Sequence, residues 1–186
     1  VAWTSDGASV CAAGHWLVDG VAKIRCWSAP SYLSYRDAGA SGAAVYDLTA
    51  LPKGRLAFAG GDPSWGVLEP SGRPAVIKPS YTADFRDGGA AFRTDETGVR
   101  VMFGYRNHGA DPALFSLEER SLVLNPKQDP TLRGARTTAS NIRLSGWKDS
   151  YDVLLNGRPL TLTAYERSRS MALAPNESWF VLGTAR

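Results

Sequence analysis

Histidine and cysteine are scarce in this chain, two of each in 186 residues, and that scarcity removes most metal and nucleophile chemistry. Cys11 and Cys26 form no C-x-x-C pair and have no clustered histidines, so no zinc site is spelled out. Each falls where a strand should be apolar, which reads as two buried small side chains. A disulfide requires that they face each other on paired strands, and their spacing leaves that open. No G-x-S-x-G elbow occurs, and a Ser-His-Asp set would need an oriented histidine beside a serine. No stretch approaches the roughly 20 apolar residues needed to cross a bilayer. No run of five or six like charges occurs, and the net charge is only +3. Arg133, Arg136 and Arg143 are the nearest thing to a basic stretch, and a solvated loop explains them better than a nucleic-acid groove. The opening residues VAWTSDG show no basic n-region and no apolar h-region, so the expectation is a piece of a longer chain, begun inside a strand, with no signal peptide. A sustained 3.6-residue period is also missing, which argues against helices.

What the chain does have is a pattern that comes round four times: an apolar strand, a tight polar turn and a second apolar strand. The copies are VAWTSDGASVCAAG from Val1, VYDLTALPKGRLAFAGG from Val45, AAFRTDETGVRVMFGY from Ala90 and SMALAPNESWFVLGT from Ser170. The first three start 40-odd residues apart, a period that belongs to propeller blades. Nineteen glycines and eleven prolines punctuate the chain, as many short strands require. In the first unit VAKIRCW alternates, with Ile24 and Cys26 on one face and Lys23 and Arg25 on the other. Tyr32 to Tyr35 reads as a short outer strand. In DVLLNGRPLTL, Asn156-Gly157 supplies the two positive-φ positions of a type I′ hairpin turn. The stretch from Asn125 to about Ser150 is irregular and reads as an insertion over one face of the sheets. The fourth unit reaches only its second strand.

The repeats resemble the WD-repeat β-propeller family. VAWTSDG, CAAG and KIRCW follow that family's order of an apolar strand running into Asp-Gly, a small-residue strand and an alternating strand ending in Trp, with Ser28 where the family has Asp. LPKGRLAFAGGD and WGVLEPSGR follow it too, TDETGVRVMFG and LAPNESWFVLGT more loosely. The Gly-His pair of well-formed repeats is absent, so the family's buried hydrogen-bond network does not carry over. The style of LNGRPLTL, ERSRSMALAP and FVLGT is similar to degenerate propellers of large bacterial proteins that also carry a caspase-like peptidase domain, though no caspase-type cysteine signature occurs here.

The resemblance implies an all-β fold: a β-propeller fragment of about three and a half four-stranded antiparallel blades with one long loop insertion. The blades are expected over 1–38, 39–80, 81–124 and 151–186, with the insertion over 125–150. Blades at both ends would be incomplete, and open strand edges invite self-association. The expected function is a non-catalytic scaffold for protein–protein contact, a regulatory or sensing module serving a protein partner or adjacent domains of the same polypeptide. No nucleic acid, membrane insertion, metal or other cofactor is expected, and a cytoplasmic setting is favoured. The alternative is a propeller hydrolase or a lectin-like carbohydrate-binding module completed by blades not present here. Asp84, Asp87 and Asp95 could be imagined as its carboxylates, but they read as turn residues. The candidate partner-binding rim lies in the loops between second and third strands: His15, Trp16, Asp62, Trp65, Arg106, Asn107, His108 and Asp111. Trp3, Trp27 and Trp179 sit where packing explains them, whereas Trp16, Trp65 and Trp147 are the better ligand candidates.

Overall fold

A computed structural model describes residues 1–62, 64–77, 93–95, 97, 99–106, 111–134 and 137–185, and every described element is a β-strand. Ala2–Trp3 (β1), Ser9–Val18 (β2), Val21–Ser28 (β3) and Tyr35–Ser41 (β4) form an antiparallel sheet in chain order. The same meander is built from Val45–Leu51 (β5), Arg55–Gly60 (β6), Ser64–Leu68 (β7) and Pro74–Ile77 (β8). It recurs in Arg93–Thr94 (β9), Arg100–Arg106 (β10), Asp111–Ser116 (β11) and Ser121–Leu124 (β12). Narrower sheets follow: Leu144–Ser145 (β13), Val153–Leu155 (β14) and Arg158–Leu160 (β15), then Arg167–Leu173 (β16) and Phe180–Ala185 (β17). These are the blades of a β-propeller fragment. The first unit extends to Ser41, because β4 runs from Tyr35 rather than through the tight turn at Tyr32, where φ is +55°.

Neighbouring sheets pack face to face. Ile24 and Cys26 of the first sheet meet Leu48, Leu56 and Phe58 of the second. Trp65 and Leu51 of the second meet Phe103 and Phe115 of the third. Ile142, Leu144 and Val153 pack on Met171 and Leu173. The last sheet in turn packs on the first, with Ala172 and Ala174 against Trp3, and the Val1 amino group donates to Ser170 Oγ at 3.3 Å. Apolar residues on β1 and β16 thus cover each other, while β1 remains an edge strand of its sheet. Among the described residues β17 has no further strand beside it.

Local chemistry explains the turns. Asn156 and Gly157 hold φ of +50° and +79°, the pair that closes the β14–β15 hairpin. Asp6 caps its own turn by accepting from Thr4 Oγ1 at 2.6 Å and the Ala8 N–H at 2.9 Å. Cys11 and Cys26 are direct partners across β2 and β3, fully buried, and joined by a disulfide. Among the described residues the long connection after β12 carries no strand before β13. Leu132 anchors it in the interior, and Arg133 exchanges backbone hydrogen bonds with Thr94 of β9 at 2.7 and 2.8 Å.

Candidate functional site

The proposed rim residues do not share one environment. His15 and Trp16 lie inside β2 rather than in a loop, because β2 continues past a bulge between Ala13 and Leu17 to a turn at Asp19-Gly20. Both are exposed there. The His15 ring meets Tyr46 edge-on at 5.8 Å. Asp62 lies between β6 and β7 and ties two connections together, accepting from Ser41 Oγ at 2.6 Å, the Gly42 N–H at 2.7 Å and the Ser64 hydroxyl. Trp65 is a correction: it is fully buried, 4.6 Å from the Phe115 ring and 6.0 Å from Phe103. It points inward because β7 has a sheet packed on each face, and all five of its residues are buried. Arg106 ends β10 and Asp111 begins β11, and the two are backbone partners. Asn107 and His108 lie outside the described residues, as do Asp84 and Asp87.

The other tryptophans also separate. Trp3 is buried against Tyr32, edge-on at 5.4 Å. Trp179, placed with the core by the repeat pattern, is 68% exposed, because it sits in the turn before β17 rather than within a strand. Trp147 is half-buried against the cluster of the last two sheets, with the Lys148 ammonium 5.5 Å from its ring.

The arrangement that brings side chains together lies on the first sheet. The Arg25 guanidinium is held between two rings, 4.4 Å from Trp16 and 3.8 Å from Tyr35. It also makes a two-pronged bond to Asp37, Nε to Oδ1 at 2.7 Å and Nη2 to Oδ2 at 2.9 Å. That hydrogen bond holds the Asp37 carboxyl below the usual carboxylate range. Arg25 and Asp37 are direct partners across β3 and β4, and Tyr35, two residues along, falls on the same face. Val18, the partner of Val21 on β3, is a further exposed apolar side chain on this face, whereas Leu17, the partner of Ala22, lies on the other. The alternation of Lys23 and Arg25 signals this face in the sequence. The partnership with Trp16, Tyr35 and Asp37 depends on strand register, which no local pattern shows.

Arg25 stays charged through its bond to Asp37, and the rings supply area and shape. Among the described residues no group of three His, Cys, Asp or Glu side chains could hold a metal. No helix there is long and apolar enough to cross a membrane.

Among solved structures the chain is similar to the structure of U3-55K, at 14% sequence identity and a TM-score of 0.46, over 99% of this chain and 72% of that one. No protein-family model matches the chain. No curated protein matches it.

Proposed function

We propose that the chain is a non-catalytic protein-interaction module of the WD-repeat type, and that its contact surface is the part of the first sheet around Trp16, Arg25 and Tyr35, on the face whose inner end the last sheet covers at Trp3 and Val10. One observation carries this reading. Trp16 is 42% and Tyr35 55% exposed, yet both are fixed in strands around a guanidinium already paired with Asp37. Aromatic and arginine side chains of this kind are enriched in interface cores. Here they are ordered before any partner arrives, so little side-chain entropy remains to be lost on binding. His15 lies beside Trp16 on β2, and Asp62 braces the connection that leaves β4. Service to adjacent domains of a longer bacterial polypeptide belongs to the same reading. The Cys11–Cys26 disulfide supports an oxidising compartment over the cytoplasm.

The test compares baits. Wild type, Trp16→Ala and Tyr35→Ala, each with a thermal melt, are used for quantitative capture from extract of the source organism. The expected outcome is one or more proteins retained by wild type and lost from both variants while the melts stay unchanged. Truncation of such a ring typically costs a binding pair about 2 kcal/mol or more. An identical captured set with all three baits contradicts the proposal.

A further inference from the structure

The repeat aligns β17 with β2, β6 and β10, the second strands of the first three sheets. Each of those is hydrogen-bonded to a strand on both sides, whereas among the described residues β17 is paired with β16 alone. The Ala174 N–H donates to the Trp179 carbonyl at 3.0 Å. Along an antiparallel strand, successive residues turn their backbone groups to opposite sides. Trp179, Val181 and Gly183 therefore face β16, and Phe180 and Leu182 turn their N–H and C=O groups to the open side.

That edge lacks the usual guards. Exposed edges normally carry charge or proline. The outer strand β4 has Arg36 and Asp37, β8 begins on Pro74, and β12 is led in by Glu118, Glu119 and Arg120. Phe180–Ala185 holds neither charge nor proline. Its composition is that of a strand paired on both sides.

The space beside the edge is walled. Trp3, Val10, Trp27 and Tyr35 are successive partners across β1 to β4 and form one row on one face of the first sheet. Trp3 and Val10 share a cluster with Ala172 and with Val181 of β17, so the last sheet covers that half of the row. Trp27 is half-buried and Tyr35 is 55% exposed. The first sheet is four strands wide and the last only two, which leaves about two strand spacings, roughly 10 Å, uncovered. On the opposite side Phe180 and Leu182 join the cluster that holds the part-buried Leu155 and Leu160. In the second sheet the strand in this place is β7, all five of whose residues are buried. A free backbone edge between an aromatic row and an aliphatic wall matches an extended strand, whose main chain pairs with the edge while alternate side chains meet the two walls.

We infer that the protein partner docks by adding an extended strand to β17, with its main chain bonded to Phe180 and Leu182 and its apolar side chains set alternately on Trp27 and towards Leu160. This inference rests on the protein-contact reading and names the element by which the partner is held. Tyr35, at the outer end of the same row, joins the strand slot to the Trp16 surface.

The probe is the acetylated and amidated peptide SWGVLEPSGR, which is residues 64–73 of this chain, added to the intact protein. The control is the same peptide N-methylated at Gly66 and Val67, successive residues, so that it lacks a donor whichever of its edges faces β17. Amide hydrogen exchange, read residue by residue, is the measurement. The Phe180 and Leu182 amides should exchange freely in the protein alone and slow by about tenfold or more at saturating peptide. The control should bind about tenfold more weakly, through the loss of main-chain hydrogen bonds. Three results each overturn the inference: Phe180 and Leu182 already protected without peptide, which means that the chain fills its own edge; no saturable protection at β17; or equal binding of the control. The capture experiment separates this from the broader reading. Trp16-dependent capture without peptide binding at β17 refutes the strand mode alone, whereas peptide binding at β17 without Trp16-dependent capture refutes the Trp16 surface and leaves the edge.

Discussion

The second sheet and the last sheet began as similar repeats and ended in different environments. In β7 all five residues are buried, whereas β17 has no buried residue. Both strands start from a tryptophan region, yet Trp65 is fully buried and Trp179 is 68% exposed. Sheet width and neighbours account for the difference. The second sheet has four strands and a packed sheet on each face, so both faces of β7 are apolar and even its glycine is constrained. A Cβ on Gly66 would lie 2.6 Å from the Ala75 carbonyl oxygen and 2.7 Å from the Phe58 ring. The last sheet also packs on both faces, Phe180 and Leu182 on one side and Val181 on the other, but it is two strands wide, so β17 is an edge strand among the described residues and stays only part-buried. Burial in this fold is set by place in the array more than by residue type.

That contrast can be broken most sharply by truncating the two rings. Trp65→Ala should cost roughly 3–5 kcal/mol in chemical denaturation, through the cavity left against Phe103 and Phe115. Trp179→Ala should stay within about 0.5 kcal/mol, as exposed substitutions usually do. Equal losses would mean that the two sheets are packed alike.

A somewhat smaller effect should come from the covalent link in the first sheet. Cys11 and Cys26 are 15 residues apart, and opening a loop of that size costs about 3 kcal/mol in the chain-entropy account. The double variant Cys11→Ala/Cys26→Ala should melt lower, and wild type alkylated without reduction should show no free thiol. If the double variant is as stable as wild type, strand pairing alone holds β2 to β3.

The pH dependence should single out the second sheet. Burial pushes the Asp47 carboxyl on β5 up to about 7, against the pull of the Leu48 N–H donated at 2.8 Å. The folded chain thus holds this proton more tightly than the unfolded chain, whose carboxyl titrates near 3.9. Its contribution is most favourable below about pH 4, is lost as pH rises to about 7, and changes no further above that. Asp47→Asn should therefore be more stable than wild type at pH 8, with the gap closing towards pH 4. Parallel stability curves for the two proteins would show that Asp47 is well solvated.

Much of the strand framework is legible in the sequence, because apolar runs and turn residues act locally. Asn156-Gly157 names its hairpin, and the alternation in VAKIRCW names the two faces of β3. The sites are less legible. The rim reading put Trp16 and Trp65 in equivalent loops, but β2 runs on through a bulge that carries Trp16 outward, while β7 begins at Ser64 and carries Trp65 inward. A one-residue difference in where a strand begins turns a side chain to the other face. The Cys11–Cys26 pairing, the Arg25 stack and the contact between β1 and β16 all depend on register or on residues far apart in the chain.

The central claim is that the blades turn back so that the last sheet packs on the first. The most direct measurement is a distance between spin labels at Ala8→Cys and Asn176→Cys, both exposed turn positions close to the contact of Gly7 with Pro175. Stacked sheets lie about 10 Å apart, so neighbouring sheets predict a single distance of about 20 Å or less once label length is included. An open array would separate the labels by several sheet widths, about 40 Å or more on the same spacing, and would contradict the account.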